Sequence, residues 1–573
     1  VGPAAELIAP AGDPDGWNFA VPDWKDRLRS GASIMPHLPL DRVAAARAVG
    51  IFNKLRLPDV PGQPELLEAA GDWFRDAVAA LHGSIDETGR RRVRELFVLV
   101  PKKNSKTTNA AGLMLGSLLV DDEPNQFYGL YGPTQAIADR GFAQAKGMIG
   151  ADREGVLQSR FHVRDHLKEI EDLKTKTVLK VATFDEKIAT GTIPKGYLVD
   201  EVHILGKMAY AQRVMRQLRG GLLARPGGFG VMITTQSDEP PAGEFKATLE
   251  LARAIRDGRV TGPAAQMLPL LYEFPEELQK DRARPWLDPN WWPMVLPNLG
   301  RSLRLDMLVA DFEAERTKGE EAIRIWCSQH LNIQIGLALQ GDRWGGADYW
   351  ERAAESLTLD ELIERSEVAV VGIDGGGHDD LLGVYVIGRE RETRRWLGWG
   401  HAFAFRGVLD LREAIASRLL DFEKDGDLTF CDSPTDDLAG VAAIVKRLLD
   451  AGLLPEDDAI GLDSAHVADL VDALVDIGVT DGQMKAIAQG WRLMPATKGA
   501  VRKLMDGTFT PAIQALLAWC VSNAKAQQRG NAVLIEKQAA GVAKIDPLVA
   551  LFNAFMLMAR NPVAAGSFEY TGI

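Results

Sequence analysis

Five short apolar runs with helical stretches between them constrain this chain more than any other feature. They are FVLV (97–100), FYGLYG (127–132), KTVLKVATF (176–184), GYLVD (196–200) and FGVMITT (229–235). Short buried strands alternating with helices predict a parallel α/β sheet closed by crossovers. The residues before them, 1–95, read as a mostly helical lead-in broken by loops at Pro36 to Pro39 and Pro58 to Pro64. At Val368 a second α/β unit starts, with VAVVGIDGGG, LLGVYVIG, RRWLGWGHAF and LTFCD in succession. The expected organisation is a lead-in over 1–95, a first α/β domain over 96–345, a linker over 346–367 and a second domain over 368–573.

Length and composition agree with that division. A chain of 573 residues allows two to four domains, each able to bury its own core. Three cysteines, Cys327, Cys431 and Cys520, stand far apart and outside any CxxC pair, which argues against a disulfide framework or a zinc ribbon. The opening VGPAAELIAPAGDPDGW lacks the basic start and apolar stretch of a signal peptide. The longest apolar run, Leu548 to Ala559, falls short of the ~20 residues a spanning helix needs. These features predict a soluble, cytoplasmic protein. The net charge of −13 argues against a diffusely basic nucleic-acid binder, but not against one that holds DNA in a local groove.

The loop Val100-Pro-Lys-Lys-Asn-Ser-Lys-Thr-Thr108 joins the first strand to a helix. A phosphate suits this arrangement: backbone N–H groups and the positive end of the helix point at the anion, and Lys106 reaches its outer oxygens. Thr107 follows and can offer a hydroxyl to Mg²⁺. Against the pattern GxxxxGK[ST], however, Val100 and Ser105 stand where glycines belong, so the loop taken alone reads more readily as a solvated Lys-rich turn. Two later strand ends strengthen the nucleotide reading. Tyr197-Leu-Val-Asp200-Glu201 ends in two acids, the first suited to Mg²⁺ and the second to the attacking water. Val231-Met-Ile-Thr-Thr235-Gln236 ends in hydroxyl and amide groups. In a parallel sheet the three ends share the edge where ligands bind, which predicts nucleotide hydrolysis.

The second unit carries acids at comparable places. Asp374 ends the first half of a predicted β-hairpin, followed by Gly375 to Gly377, small residues that allow a phosphate backbone to approach. Asp463 ends the short strand Ala459-Ile-Gly-Leu-Asp463, and Asp546 precedes Pro547 at the start of an apolar helix. Asp463 and Asp546 are equally placed to cap helices. Acids converging from a hairpin, a second strand and a late helix are how RNase H-type nucleases hold two Mg²⁺ or Mn²⁺, and oxygen-only ligation suits those ions over zinc. His203 either orients Glu201 or simply packs. His378, His401 and His466 form no zinc spacing, and Ser237 and Ser464 lack the GxSxG setting. The Trp-rich stretch 283–303 is a packed inter-element loop or a base-stacking platform.

The order of these pieces resembles the large terminase subunit of tailed bacteriophages, specifically the HK97-like family, over roughly Leu66 to Arg560. The markers are Trp73, Gly89-Arg-Arg-Arg-Val-Arg94, the loop at Val100, Gly132-Pro-Thr-Gln-Ala136 and Asp200-Glu-Val-His203. They continue with Thr234-Thr235, His330-Leu-Asn332 with Trp344, Gly372-Ile-Asp374 with Asp380-Leu381, and Lys544-Ile-Asp-Pro-Leu-Val-Ala550. The resemblance implies an N-terminal P-loop ATPase of the ASCE type, over 96–345, and a C-terminal RNase H-like nuclease, over 368–573. By position it places Lys102, Lys103, Asn104, Ser105, Lys106, Thr107, Thr108 and Gln135 at the nucleotide. Asp200 supports its Mg²⁺, Glu201 activates water, and Thr234 and Thr235 sense the γ-phosphate. Asp374, Asp463 and Asp546 become the nuclease metal ligands, with Asp380 a candidate fourth.

What the resemblance further implies is an ATP-driven motor. Several copies, each monomeric in isolation or already joined, would ring the portal and drive double-stranded viral DNA into a procapsid in the host cytoplasm. The nuclease cuts the concatemer, and a small terminase subunit selects the DNA. Two departures stand out: Lys102 replaces the family's usual Arg, losing its planar fork, and Ser105 replaces its Gly. Arg140, Arg216 and Arg219 are candidates for the arginine a neighbouring subunit would supply. Residues 367–573 hold 20 Lys and Arg against 28 Asp and Glu, so grip on DNA is expected from local clusters such as Arg394/Arg395 or Arg502/Lys503. The competing readings are a helicase-like DNA-dependent ATPase without nuclease activity, and a non-catalytic docking protein with a degenerate loop.

Overall fold

The apolar runs of the first half do form strands of one sheet, joined by three more that their composition conceals. In the computed structural model these are β1 (Glu95–Leu99), β2 (Phe127–Tyr131), β3 (Phe161–Arg164), β4 (Glu169–Asp172), β5 (Val178–Val181), β6 (Gly196–Asp200), β7 (Phe229–Thr234) and β8 (Met267–Leu271). The structure describes residues 16–182, 184–185, 193–281, 283–335, 344–377, 380–463, 468–529, 532–537 and 544–565. They divide into two compact units, Val1–Ile335 and Gly336–Ile573. Among the described residues no helix is long and apolar enough to cross a membrane.

In the first unit the strand order is β3-β4-β5-β2-β6-β7-β1-β8. From β5 to β8 every neighbouring pair is parallel, while β3 and β4 add an antiparallel flap. The flap strands read FHVR and EIED, too charged to stand out as apolar runs. β8 carries Pro269, which cannot donate to a ladder and so sits on the edge strand. One strand, β7, separates the strand that feeds the loop from the strand that ends in acids, which is the ASCE order. Because β1, β6 and β7 are parallel, the loop at Val100, the Asp200–Glu201 pair and Thr234–Thr235 leave the sheet at one edge.

In the second unit β9 (Ser366–Gly375), β10 (Leu382–Glu390), β11 (Trp396–Phe405), β12 (Leu428–Cys431), β13 (Ile460–Asp463), β14 (Met484–Ile487) and β15 (Phe509–Pro511) form one sheet. The order is β12-β11-β10-β9-β13-β14, with β15 beside β11. β9, β10 and β11 are an antiparallel meander, and β13 and β14 run parallel to β9. This is the RNase H-like arrangement. Both faces of the sheet are covered, so β9 alternates between two cores: Val368 and Val370 in one, Ala369, Val371 and Ile373 in the other. The segment 346–367, expected as a linker, is instead packed into those cores through Trp350 and Leu362. It holds two helices, Ala347–Ala353 and Leu359–Arg365, the second opened by a Thr358–Glu361 capping box.

The helix Asp546–Met558 is apolar nearly all round and lies directly on β9 and β10. Glycines make that approach possible. A Cβ on Gly372 would stand 2.0 Å from the Ala550 carbonyl oxygen, and one on Gly383 would stand 2.7 Å from Pro547 Cα. A Cβ on Gly375 would meet the Leu381 carbonyl oxygen at 2.1 Å and Asp546 Cβ at 3.0 Å. Gly375 therefore accommodates the protein's own backbone, a use the expected phosphate contact did not anticipate; Gly377 faces open space.

Candidate active sites

The loop after β1 is held in shape from outside itself. The buried Asn104 side chain donates to the carbonyl oxygens of Pro101 (3.0 Å) and Lys102 (3.3 Å) and accepts from the Asn298 backbone N–H (3.0 Å). Ser302 Oγ donates to the Lys103 carbonyl oxygen at 2.6 Å, and Lys102 Nζ donates to Gln329 Oε1 at 2.6 Å. Asn104, expected at the nucleotide, thus has its side chain committed to the loop's own frame. Lys103 (φ 70°) and Ser105 (φ 56°) both adopt left-handed backbone, so the loop does require what glycine supplies most easily, and Ser105 bears it. Lys106 opens the helix Lys106–Val120.

Around Lys106 the polar groups are mostly buried and paired with one another, while Glu201 Oε2 has no hydrogen-bond partner among the described residues. Its ammonium lies 3.1 Å from Glu201 Oε1. Thr107 Oγ1 donates to Asp200 Oδ2 at 2.7 Å, and the Glu201 backbone N–H donates to Asp200 Oδ1 at 2.8 Å. Burial, then the neighbouring Glu201 charge, pushes the Asp200 carboxyl up to about 6. Burial also raises Glu201, but Lys106 and then His203 outweigh it and hold that carboxyl below its ordinary value. A carboxylate and a hydroxyl side by side suit the Mg²⁺ that accompanies a nucleotide.

His203 ties the acid pair to β7. Its backbone N–H donates to Thr234 Oγ1 at 2.9 Å, and its Nδ1 lies 3.1 Å from the same oxygen and 3.4 Å from Glu201 Oε2. Thr234 Oγ1 spends its single proton on the Thr235 carbonyl oxygen at 2.9 Å, so the imidazole must be the donor and Nδ1 carries the hydrogen. Burial lowers the ring to about 4 and keeps it neutral. Thr235 Oγ1 is buried with no partner among the described residues, a hydroxyl available to a ligand. Thr108 is half-buried in the first helical turn, and Gln135 is exposed at the start of the helix after β2.

Of the arginine candidates, Arg219 is committed within the chain. It pairs with Glu95 and Glu244, each at 2.8 Å, whereas Arg140 and Arg216 are exposed. The Trp-rich stretch is packed: Trp286 and Trp292 are buried, the latter edge-on to Phe312 at 5.4 Å.

In the second unit the acids meet at the end of the sheet. Leu462 pairs with Ile373, so Asp463 follows beside Asp374 at the ends of two parallel strands. Asp546 is the first residue of the helix laid over them, one place inside the N-cap Ile545. Asn553 on that helix donates to the Ile373 carbonyl oxygen at 2.9 Å, fixing the helix next to Asp374. The buried Lys544 ammonium pairs with Asp380. Burial first, and then Asp546, Asp463 and Asp380, push the Asp374 carboxyl up to about 8. Burial and then Asp380 raise Asp546 to about 7.

Two of the four carboxyls, Asp374 and Asp546, are raised while, against burial, Lys544 holds Asp380 down; with one ammonium among them the cluster is short of positive charge, and Asp546 Oδ2 is buried without a hydrogen-bond partner among the described residues. An all-oxygen donor set of this kind fits Mg²⁺ or Mn²⁺. Among the described residues no group of three or more His, Cys, Asp or Glu side chains stands close enough together to hold a metal ion as it is. A cavity of about 490 Å³ opens on Asp374 and Asp463. Its wall includes Asp437 and Asp469, which sequence reading did not single out because both lie on helices, away from any strand end. His378, His466 and Ser464 lie outside the described residues.

The basic clusters expected to grip DNA are partly spent. Arg394 pairs with Glu367, Arg395 with Glu390 at 3.2 Å, and Lys503 lies 4.2 Å over the Trp396 ring.

Comparison with known proteins gives two family-model matches: terminase large subunit, ATPase domain, over residues 72–244, and terminase large subunit, endonuclease domain, over residues 272–561. No curated protein sequence matches the chain. Among solved structures, the large terminase of bacteriophage HK97 aligns with 16% identity and a TM-score of 0.44, covering 89% of this chain and 99% of that one. The large terminase of the thermophilic bacteriophage D6E aligns with 11% identity and a TM-score of 0.29, over 82% of this chain and 94% of that one. The large terminase nuclease of thermophilic phage G20c, solved with bound magnesium, aligns with 10% identity and a TM-score of 0.22, over 33% of this chain and 80% of that one.

Proposed function

The chain belongs to the terminase large subunit family, and on that premise we propose that it moves double-stranded viral DNA into a procapsid and cuts the concatemer at the ends of packaging. Its two family domains make it an ATPase and an endonuclease, which use a nucleotide and divalent metal. The finer reading assigns the motor to the first unit and the nuclease to the second, with the helical residues before β1 supporting the motor. Several copies ring a portal in the host cytoplasm, and a small terminase subunit presents the DNA.

In this reading Lys106 and the loop N–H groups take the β- and γ-phosphates, with Lys102 and Lys103 alongside. Thr107 and Asp200 hold the magnesium, Glu201 orients and deprotonates water, and Thr234 and Thr235 report the γ-phosphate to β7. Asp374, Asp463 and Asp546, with Asp380 as the outer carboxylate, hold two Mg²⁺ or Mn²⁺, which supply a nucleophilic water and stabilise the leaving oxygen when bound. The chain's own part is to gather these acids on two strand ends and one helix, and to balance them with Lys544.

The observation that carries the proposal is the meeting of Asp374, Asp463, Asp380 and Asp546 at one sheet end, in a chain whose other sheet brings Lys106 to Glu201. Plasmid cleavage in Mg²⁺, Mn²⁺ or EDTA, comparing wild type with Asp374→Ala and Asp546→Ala, tests it. Cleavage that persists in EDTA or in both variants would overturn the nuclease assignment. Unchanged phosphate release by Lys106→Ala and Glu201→Ala would overturn the motor.

A further inference from the structure

We infer that the exposed face running from Trp491 through Arg492, Lys498 and Arg502 is the track on which the second unit holds the phosphate backbone of its DNA. This rests on the nuclease reading and names the surface that serves it.

The charge distribution singles out this part of the chain. Residues 367–573 carry 28 Asp and Glu against 20 Lys and Arg, yet from Gly482 to Ile535 there are seven Lys and Arg and one acid, Asp506. In a unit that otherwise repels a polyanion, that stretch is where one can settle. Most bases elsewhere in the unit are paired to acids, as Arg389 and Arg394 are to Glu367 and Arg560 is to Asp458. Arg492, Lys498 and Arg502 are exposed and form no ion pair among the described residues.

Their placement follows from the sheet. Ile487, the last residue of β14, pairs with Asp463, so the chain leaves the sheet at the edge where the acids gather. Gln489 Nε2 then donates to Asn553 Oδ1 at 3.1 Å, and Asn553 in turn holds the Ile373 carbonyl beside Asp374. Immediately beyond, the turn Gly490–Leu493 runs into the helix Met494–Asp506. Its buried side is Leu493, Ala496, Ala500 and Leu504. Trp491, Pro495, Lys498, Arg502 and Met505 are exposed, at intervals of three and four, so they line one helical face. Trp491 is 60% exposed, and the Arg492 guanidinium lies 5.5 Å from its ring. From Arg492 to Arg502 the track spans about 15 Å at 1.5 Å per residue, the axial length of four to five base-pair steps.

Salt dependence reads such contacts directly, because each phosphate neutralised contributes about 0.9 to the slope of log K against log salt. Full-length protein is titrated in EDTA with a short linear duplex of mixed sequence over a range of salt. Arg492→Ala/Lys498→Ala/Arg502→Ala should lower the slope by between about two and three, and slow plasmid cutting in Mg²⁺ while leaving phosphate release as in wild type. The charge-preserving Arg492→Lys/Lys498→Arg/Arg502→Lys should keep the wild-type slope. Trp491→Ala should weaken binding without changing the slope, and Lys424→Ala, an exposed base off the track, should change neither. An unchanged slope in the triple-alanine variant, or an equal loss in Lys424→Ala, overturns the track. Failure of wild type itself to cut DNA would instead overturn the nuclease reading.

Discussion

Lys106 and Glu201 face each other at 3.1 Å beyond the end of the first sheet, each the other's buried counter-charge. In the motor proposed above, a triphosphate arriving at Lys106 competes with the very carboxylate that is to act on its hydrolysis. Binding therefore frees Glu201 from one partner and leaves it with His203. Glu201→Gln should bind ATP at least as well as wild type and lose about 10²- to 10⁴-fold in turnover. Lys106→Ala should lose nucleotide binding itself. Equilibrium nucleotide binding and single-turnover phosphate release distinguish the two.

His203 donates from Nδ1 to Thr234 Oγ1 and stands 3.4 Å from Glu201 Oε2, so its task needs a donor at that position only. His203→Ala should lower kcat about tenfold with little change in KM, the upper worth of one neutral hydrogen bond at ~1.5 kcal/mol. Asn places an N–H near Nδ1 and should restore most of the rate; Gln places it near Nε2 and should not. Equal rates for the Asn and Gln variants would leave His203 as packing alone.

Ser105 sits at φ 56°, where an L-residue costs roughly 1–2 kcal/mol. Ser105→Gly should be tolerated, with nearly unchanged melting and full nucleotide binding. Ser105→Val, β-branched in the same conformation, should destabilise by about 2 kcal/mol or displace the loop. Thermal melting with and without nucleotide separates strain from lost binding.

Asp374 and Asp546 are both raised in the fold, to about 8 and about 7, burial being the first cause of each. A carboxyl whose folded pKa exceeds its unfolded value binds more protons when folded, so stability is fully present below about pH 4 and is lost as pH rises toward 8. In EDTA this contribution should fall over that window. Mg²⁺ should reverse it, since the ion favours the ionised carboxyls. Asp374→Asn should melt a few degrees higher than wild type at pH 8 in EDTA and gain less from Mg²⁺. Scanning calorimetry in the two buffers measures both effects.

Gly372 and Gly383 leave room for the helix that carries Asp546. Gly372→Ala would drive a methyl into the Ala550 carbonyl oxygen, 2.0 Å away, and that backbone must move. The variant should lose about 2 kcal/mol of stability in the second unit and most of its DNA cleavage, with ATP hydrolysis intact. Plasmid cutting and phosphate release on one preparation test the separation.

Much of this was legible from sequence, and for a definite reason. Strands buried on both faces must be apolar throughout, so GYLVD and FGVMITT announce themselves, and a parallel sheet sends all their ends to one edge whatever the rest of the chain does. Lys106, Asp200, Glu201 and Thr234 follow from that rule alone, as do Asp374 and Asp463 from its counterpart in the second unit. β8, apolar throughout, escaped because Pro269 argues against a strand, and the flap β3–β4 because Arg164 is matched to Glu169 and Glu171 only once the two strands pair.

What only the tertiary structure decided are the pairings that cross the sequence at long range. Nothing local in Asn104 tells that its amide holds Asn298, in Arg219 that it is enclosed by Glu95 and Glu244, or in Gly372 that a helix almost 180 residues later needs its missing side chain. The sequence by itself determined which residue types stand at the sheet edges, because periodicity and burial act over a few residues. Which charges are spent and which remain free for a phosphate, as Arg394 and Arg502 differ, depends on neighbours that only the folded chain supplies.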